Sequence, residues 1–243
     1  MDRLRTILSE FIVDLRAQKL RAFLTTFGIV WGTVAIVVLI SFGVGFQRQV
    51  AVNMHGLGER IEIMFPGKTT KVYEGFGTGR AIRFIEDDVQ LLAAEVKGID
   101  RICPEYSKRD ISVRLGKNIL NPLVTGVYPI YHEMRNIIPA PGGRFLDEPD
   151  MQSRRRVVFI GDKVKDFLFG ESEAIGKLID VGGIPFTVVG VMIKKTQNSS
   201  YNSRDQDRIF IPASTFSGVY GEVHINNIIF TPRDPRESES VIA

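Results

Sequence analysis

The residue types that most often carry out chemistry in proteins are sparse in this sequence. Its three histidines, His55, His132 and His224, are far apart, and its single cysteine, Cys103, cannot form a disulfide within the chain. None of them stands in a spacing such as H-E-x-x-H, paired cysteines or G-x-S-x-G. A site that assembles only in three dimensions stays open, but we expect no catalytic residue, no metal ligand and no cofactor. Cys103 is interpreted as a small buried hydrophobic side chain.

Two further motifs resemble functional sites but have simpler explanations. Asp87 and Asp88 stand in the first turn of a helix predicted over residues 86–98, where acidic side chains interact favourably with the helix dipole. The "GFGTG" at 75–79 lacks the G-x-G-x-x-G spacing of a phosphate-binding loop and is not directly followed by a helix. We interpret residues 66–80 as an exposed loop.

The charge balance of the chain limits its partners. Lysine and arginine total 31 and aspartate and glutamate 28, so the formal net charge is only +3 over 243 residues. A nucleic-acid-binding domain concentrates a much larger positive charge in one stripe or patch. We therefore expect no nucleic acid partner.

One stretch, "AFLTTFGIVWGTVAIVVLISFGVGF" at 22–46, contains no charged residue. As a helix it extends for roughly 37 Å, which exceeds a hydrocarbon core of about 30 Å. It is longer than the apolar region of a secretory signal, and it lacks the polar face of a soluble core helix. A cleaved signal and a core helix remain as alternatives. We predict a transmembrane helix over residues 22–47.

The charges that flank this helix predict its orientation. Positive residues are more frequent on the side that stays in the cytoplasm. Five lie before the helix, namely Arg3, Arg5, Arg16, Lys19 and Arg21, and three in the comparable stretch after it, namely Arg48, Arg60 and Lys68. We predict an inner-membrane protein with a cytoplasmic N-terminus and with residues 48–243 in the periplasm or outside the cell.

Two packing surfaces accompany the membrane helix. Residues 1–21 form a predicted amphipathic helix in the cytoplasmic interface, in contact with membrane lipid, which serves either as an anchor or as a docking surface for a cytoplasmic partner. Its apolar stripe consists of Leu4, Ile7, Leu8, Phe11, Ile12 and Leu15. Within the span, Gly28 and Gly32 form a G-x-x-x-G pair, which allows a second helix to approach closely.

Residues 48–243 alternate between short strands and a few helices. A strand is predicted at 60–65, another at 157–160, a helix at 162–170, and a hairpin around Gly182-Gly183 within 176–195. Helices stand among strands without a strict β-α alternation. The predicted fold class of this portion is therefore mixed α+β.

The sequence at 18–50, "QKLRAFLTTFGIVWGTVAIVVLISFGVGFQRQV", closely resembles the first transmembrane segment of MacB-like ABC-transporter permeases. Residues 48–243 resemble the periplasmic core domain of the same family. The matching stretches are "DDVQLLAAE", "TGVYPIY", "GGRFLDEPD", "VVFIGDKVKDFLFGESEAIGK", "IPFTVVGVM" and "IFIPASTF". Their order and spacing extend the resemblance to about residues 4–235.

The resemblance implies a permease subunit of an ABC-type export or mechanotransmission complex. In such complexes ATP-driven dimerisation of ATPase subunits moves the membrane helices and reshapes the periplasmic domains, and the permease works as a dimer, with a periplasmic adaptor as a further partner. Family permeases carry three more membrane helices, and this sequence contains neither these nor a Walker A motif. The resemblance therefore implies a fragment whose ATPase is a separate chain. A natural single-span protein and a membrane-anchored extracytoplasmic enzyme or ligand-binding protein are the alternatives.

Overall fold

The computed structural model describes residues 18–55, 61–195, 197 and 200–234, and for residues 48–55 the backbone alone. The chain divides between Ala51 and Val52 into two compact units. Most of the predicted amphipathic helix over residues 1–21 lies outside the described residues.

The described part of the first unit contains a long helix, α1, which begins at Lys19 and continues across the unit boundary to His55. Its apolar side chains between Ala22 and Phe46 are exposed, and the segment Lys19–Gln47 is long and apolar enough to cross a membrane. The hydroxyls of Thr25 and Thr33 donate to the carbonyl oxygens of Arg21 and Ile29 at 2.9 and 2.8 Å. The hydroxyl groups of these side chains are thus hydrogen-bonded within the helix, and its exposed apolar surface suits an environment without water.

The second unit, the folded domain, is built on one mixed sheet of ten strands. They are β1 (Glu62–Met64), β2 (Ile99–Lys108), β3 (Val113–Leu115), β4 (Asn118–Leu120), β5 (Leu123–Val127), β6 (Val157–Ile160), β7 (Leu178–Val181), β8 (Ile184–Val191), β9 (Arg208–Pro212) and β10 (Asn227–Pro232). Their order in the sheet is β1-β10-β2-β5-β9-β6-β8-β7-β3-β4. The pairs β5–β9 and β6–β8 are parallel and the others antiparallel.

Five short α-helices and one 3₁₀ turn lie between the strands. They are α2 (Glu86–Glu95), α3 (Tyr131–Met134), α4 (Glu148–Gln152), α5 (Asp162–Phe169), the 3₁₀ turn Asp205–Asp207 and α6 (Ala213–Tyr220). Asp87 and Asp88 lie in the first turn of α2, as predicted, and the carboxylate of Asp88 also accepts a hydrogen bond from the backbone N–H of Ile85 at 2.9 Å. Gly170 ends α5 with a φ of 57°, a conformation that favours glycine.

The sheet buries a separate hydrophobic cluster on each face, because successive residues of a strand point to opposite sides. One face packs against α2, α5 and α6 through Val89, Val164, Leu168 and Phe216. The other face holds Cys103, Val127, Phe159 and Phe210 and packs against Tyr131 and Met134 of α3. Cys103 is fully buried, as predicted. The mixed α+β class is confirmed.

Several elements differ from the sequence prediction. The predicted helix over 86–98 ends at Glu95, and the ten-residue strand β2 and the short helices α3, α4 and α6 were not predicted. Residues 66–80 are exposed as predicted, but they belong to an irregular hairpin with isolated pairs at Lys68–Ala81 and Tyr73–Phe76. The predicted hairpin around Gly182-Gly183 is present as β7 and β8.

Candidate functional site

The two predicted packing glycines lie on an open face of α1. A Cβ added at Gly28 or Gly32 would meet no atom within 4 Å. Phe23, Phe27 and Trp31 stack on one another at centroid distances of 5.9 and 6.1 Å. At about 100° of rotation per residue, this aromatic ridge lies roughly 120° around the helix from the glycine pair. The helix therefore has a flat face and a separate bulky one, which suits close approach at the glycines alone.

The predicted interfacial side chains, Leu4, Ile7, Leu8, Phe11, Ile12 and Leu15, lie outside the described residues. Their stripe remains a prediction from the sequence.

The folded domain contains a group of charged side chains that no local sequence pattern predicts, called here the buried charge cluster. Its ionised members are Glu105, Arg135, Lys195, Asp205 and Arg208, and two phenols, Tyr131 and Tyr201, complete it. Four of the five charged side chains have no exposed surface, and Lys195 retains only 14%. A buried charge is costly unless it is paired, so each member depends on the others.

Four parts of the domain contribute to the cluster. Glu105 lies in β2 and Arg208 begins β9, and both project from the face that also holds Cys103 and Phe210, because residues two apart in a strand share a face. Arg135 directly follows α3. Tyr131 is the first residue of that helix. Lys195, Tyr201 and Asp205 come from the segment between β8 and β9, which the cluster holds against the sheet.

Asp205 is the anion that gathers the cations. Its Oδ1 lies 2.9 Å from Nη2 of Arg135 and 3.9 Å from Nε of Arg208, and its Oδ2 lies 2.7 Å from Nζ of Lys195. Three positive side chains thus converge on one carboxylate. Such convergence fixes the position of the 3₁₀ turn relative to α3 and β9.

Glu105 organises the other half of the cluster. Its Oε1 lies 3.5 Å from Nη1 of Arg208 and accepts a hydrogen bond from Nδ2 of Asn202 at 3.0 Å. Its Oε2 accepts from the hydroxyls of Tyr131, at 2.8 Å, and Tyr201. Both carboxylate oxygens are therefore satisfied, which offsets the cost of burying the charge.

The ring of Tyr201 lies close to both arginines. The guanidinium carbons of Arg135 and Arg208 are 5.0 and 5.4 Å from its centroid. Cations over an aromatic face are attracted to its electron density, more strongly where water is excluded. The ring stabilises the excess of three cations over two carboxylates.

Burial and neighbouring charges shift the pKa values of Asp205, Lys195 and the two phenols. Burial by itself raises the pKa of Asp205, but the charges of Arg135, Lys195 and Arg208 outweigh it and hold the pKa below its ordinary value. Burial lowers the pKa of Lys195, against the opposing effect of Asp205. Burial and the neighbouring Glu105 raise the pKa of both Tyr131 and Tyr201. The phenols therefore remain neutral hydrogen-bond donors. The cluster is suited to joining α3, β2, β9 and the segment before β9, and not to transferring protons.

The residues with reactive side chains are placed apart from one another. Burial, reinforced by Glu105, raises the pKa of the Cys103 thiol, which makes a thiolate harder to form. His132 packs against the ring of Phe145 at 5.1 Å, and burial lowers its pKa. Among the described residues, no three His, Cys, Asp or Glu side chains come close enough to share a metal ion.

Two shallow polar clefts open on the surface of the folded domain. One, of about 560 Å³, is lined by Asp100, Arg101, Glu133, Met134, Asn136, Thr231, Pro232 and Arg233. The other, of about 670 Å³, is lined by Asp110, Ile111, Ser112, Arg114, Gly116, Asp180, Gly182 and Gly183. In the first cleft, Arg101 already pairs with Glu133 at 2.9 Å. Neither cleft includes an ionised member of the buried charge cluster.

One signal in the sequence does point to the cluster. Glu105 interrupts the buried run Cys103–Tyr106, and Arg208 directly precedes the apolar run Ile209–Ile211. A charge inside a strand that is buried on both sides needs a partner. The sequence does not say which partner, because Glu105 and Tyr201 are 96 residues apart and Arg135 and Asp205 are 70 apart.

Comparison with known proteins identifies the family of the chain. The family described as "MacB-like periplasmic core domain" matches residues 22–243. The chain is 31% identical over 229 residues to a macrolide export ATP-binding/permease protein MacB of Bdellovibrio bacteriovorus, and 28% identical over 221 residues to that of Vibrio parahaemolyticus. These alignments include 93% and 89% of this chain but 34% and 32% of those proteins, so the chain spans about a third of their length.

Solved structures agree with the fold. The periplasmic region of MacB from Actinobacillus actinomycetemcomitans superposes with a TM-score of 0.60 at 21% identity, over 78% of this chain and 84% of that one. The extracellular domain of the noncanonic ABC-type transporter YknZ from Gram-positive bacteria gives a TM-score of 0.57 at 20% identity, over 65% and 78%. Together with the apolar helix α1 and the ten-stranded mixed sheet, the match over residues 22–243 shows that this chain belongs to the family of MacB-like periplasmic core domains.

Proposed function

We propose that the chain is the membrane-anchored part of a permease subunit in an ABC-type export or mechanotransmission complex. The observation that supports this most is the continuity of α1, which runs as one helix from Lys19 through the apolar stretch to His55. An uninterrupted helix is a stiff rod, so a displacement of its membrane portion reaches its far end. A movement made in the membrane is thus carried along α1 to His55.

In this proposal residues 1–21 are an interfacial helix at the cytoplasmic surface, 22–47 span the inner membrane, and 48–243 form a periplasmic domain. The excess of positive residues before the span supports the orientation. The buried charge cluster supports the mechanical role of the domain, because it ties α3, β2, β9 and the segment before β9 to one another. A domain braced in this way changes shape as a whole rather than strand by strand.

We assign ATP hydrolysis to a separate ATPase subunit. Relatives carry the name "ATP-binding/permease protein", which associates ATP binding with permeases of this family. The stripe from Leu4 to Leu15 is the surface that we propose lies closest to that subunit. A second permease copy packs against Gly28 and Gly32, and a periplasmic adaptor is a further partner of the exported domain.

The test is co-purification and transport with the full-length parent gene product. It should form a complex with an ABC ATPase encoded beside it and hydrolyse no nucleotide alone. Gly28→Leu should weaken the complex, because leucine prevents close approach of a second helix while it favours membrane insertion. Gly45→Leu is the matched control, since Gly45 is also an open glycine of α1 but lies roughly 100° around the helix from Gly28.

The interfacial helix is tested in the same assay. Phe11→Asp places a charge on its apolar stripe and should reduce ATPase-coupled export, whereas Phe11→Leu should preserve it. Wild-type complex formation and transport in both Gly28→Leu and Phe11→Asp would contradict the role proposed for these segments. Nucleotide hydrolysis by the purified permease alone would contradict the separate ATPase.

A further inference from the structure

Residues 65–84, which follow β1, form an exposed excursion called here the basic hairpin. Its two arms are joined near the base, where the N–H of Thr69 donates to the carbonyl of Arg80 at 2.9 Å and the N–H of Ile82 donates to the carbonyl of Gly67 at 2.9 Å. The segment is therefore a hairpin with paired arms and a defined tip.

The tip presents hydrophobic side chains to the outside. Tyr73 and Phe76 exchange backbone hydrogen bonds of 3.3 and 2.9 Å across a two-residue turn. In that turn Glu74 and Gly75 both have positive φ, 48° and 80°, the geometry of a type I′ hairpin turn. The turn places Tyr73 and Phe76 side by side, and they are 68% and 55% exposed, with Val72 at 69%. Such a preformed apolar tip marks an interaction surface.

The same hairpin holds the net charge of the whole chain. It has one acidic residue, Glu74, and four cations: Lys68, Lys71, Arg80 and Arg83. Its formal charge is therefore +3, which equals that of the complete sequence, so all other residues together balance to zero. Among the described residues, no carboxylate forms an ion pair with these four cations.

Aromatic side chains at the centre of a basic element are the chemistry that recognises an anionic membrane surface. Tyrosine and other aromatic rings reside at headgroup depth, and lysine and arginine are attracted to anionic lipids. The guanidinium of Arg80 lies 4.6 Å from the ring centroid of Phe76, so the charged and aromatic parts already act as one surface.

We propose that the basic hairpin docks on the surface of the membrane in which α1 is anchored. Lys68, Lys71 and Arg83 contact the phosphates of anionic lipids, and Tyr73 and Phe76 enter the headgroup layer beside them. Only the identity of the leaflet rests on the orientation proposed above. Docking of the tip gives the domain a second attachment to the membrane besides α1.

The experiment places an environment-sensitive fluorophore on Thr78→Cys in the full chain, reconstituted in nanodiscs that contain phosphatidylglycerol and spin-labelled lipid. The buried Cys103 stays unlabelled. Ser172→Cys, in the exposed turn after α5, is the matched control. We expect lipid quenching at position 78 and not at 172. Both leaflets of a nanodisc have the same composition, so the result does not depend on the orientation of the chain.

Two sets of variants separate the contributions of charge and aromatic insertion. Removing the cations by Lys68→Ser, Lys71→Ser and Arg83→Ser should lower the ratio of docked to undocked hairpin about fivefold for each substitution. Tyr73→Ser with Phe76→Ser should reduce quenching while the charge is kept. Equal quenching at positions 78 and 172, or quenching unchanged when phosphatidylcholine replaces phosphatidylglycerol, would overturn the proposal. Cross-linking of position 78 to a second copy in place of lipid quenching would also overturn it.

Discussion

The helix α1 and the folded domain handle polar and apolar groups in opposite ways. In α1 the apolar side chains are exposed and the hydroxyls of Thr25 and Thr33 bond to carbonyls of the preceding turn. In the domain the apolar side chains are buried, and so are charges such as Asp205 and Arg208, which are satisfied by partners from other elements.

This contrast shows where each region obtains its stability. The polar groups of α1 need nothing beyond one helical turn, so the helix suits an environment without water. The charges of the domain are stable only when four separate parts of the chain have come together. A single substitution should therefore act locally in α1 and globally in the domain.

The largest expected effect comes from breaking the buried charge cluster. Arg208→Met leaves Glu105 buried without its guanidinium partner and should lower the free energy of unfolding by about 3–5 kcal/mol. Arg101→Met is the matched control, since Arg101 pairs with Glu133 at the surface, and it should cost at most about 1 kcal/mol. Thermal unfolding of the chain in mild detergent measures both. Equal losses would show that the cluster does not brace the domain.

The next effect tests whether the exposed surface of α1 faces lipid. Val34→Lys places a charge near the middle of the apolar stretch and should make membrane insertion less favourable by roughly 2.5–3.5 kcal/mol. Ile119→Lys, on the exposed edge strand β4, should change neither insertion nor folding. The membrane-integrated fraction after alkaline extraction reports the result. Full integration of Val34→Lys would argue against a single isolated span.

Substitutions of glycine are expected to have effects of intermediate size on stability. A Cβ on Gly190 would lie 2.3 Å from the carbonyl oxygen of Arg144, so Gly190→Ala should cost about 1–3 kcal/mol of stability. Gly28→Ala meets no atom and should leave the stability of a single chain within about 0.5 kcal/mol. Chemical denaturation in detergent distinguishes them, and a stable Gly190→Ala would mean that β8 and residue 144 can separate easily.

The effect of pH on the stability of the domain is expected to be the smallest, because it is absent near neutral pH and develops only in acid. A carboxyl whose pKa is lower in the folded than in the unfolded state stabilises the fold above its unfolded value, about 3.9 for aspartate. This stabilisation is lost as the pH falls through the folded pKa. Asp205 and Asp150 both have lowered pKa values despite burial, because of neighbouring cations. The domain should thus lose stability below about pH 4.

The helix α1 is the internal control for this titration, because no titratable side chain lies between Ala22 and Phe46. Its helical content in micelles should be the same at pH 7 and pH 3. Hydrogen exchange resolves the two regions in one sample. Two results would contradict the contrast between the regions. One is a loss of protection from hydrogen exchange in the span at pH 3, and the other is unchanged protection of the β9 amides at that pH.

The sequence predicted the features that depend on neighbouring residues. The apolar helix, the acidic first turn of α2, the helix at α5 and the turn between β7 and β8 all follow from spacings of a few residues. The strand β2 was missed because Asp100, Arg101, Pro104, Glu105 and Lys108 interrupt its alternation.

Features that depend on distant residues were not predicted. The helix α6 has weak helix formers such as Ser214, Thr215 and Gly218, and it is stabilised by the burial of Phe216 against Gly126 of β5. The buried charge cluster is the extreme case, because its partners meet only after the sheet has assembled. Patterns of polarity indicate that Glu105 needs a partner but contain no information on which one.

We propose that the chain crosses the inner membrane through α1, with its N-terminus in the cytoplasm and its folded domain outside. Arg5→Cys and Thr70→Cys, each in the full chain in spheroplasts, test it with a membrane-impermeant maleimide. Thr70 is exposed in the basic hairpin, and the native Cys103 is buried. We predict labelling of position 70 in intact spheroplasts and of position 5 only after the membrane is permeabilised. Labelling of position 5, but not 70, in intact spheroplasts would contradict the claim.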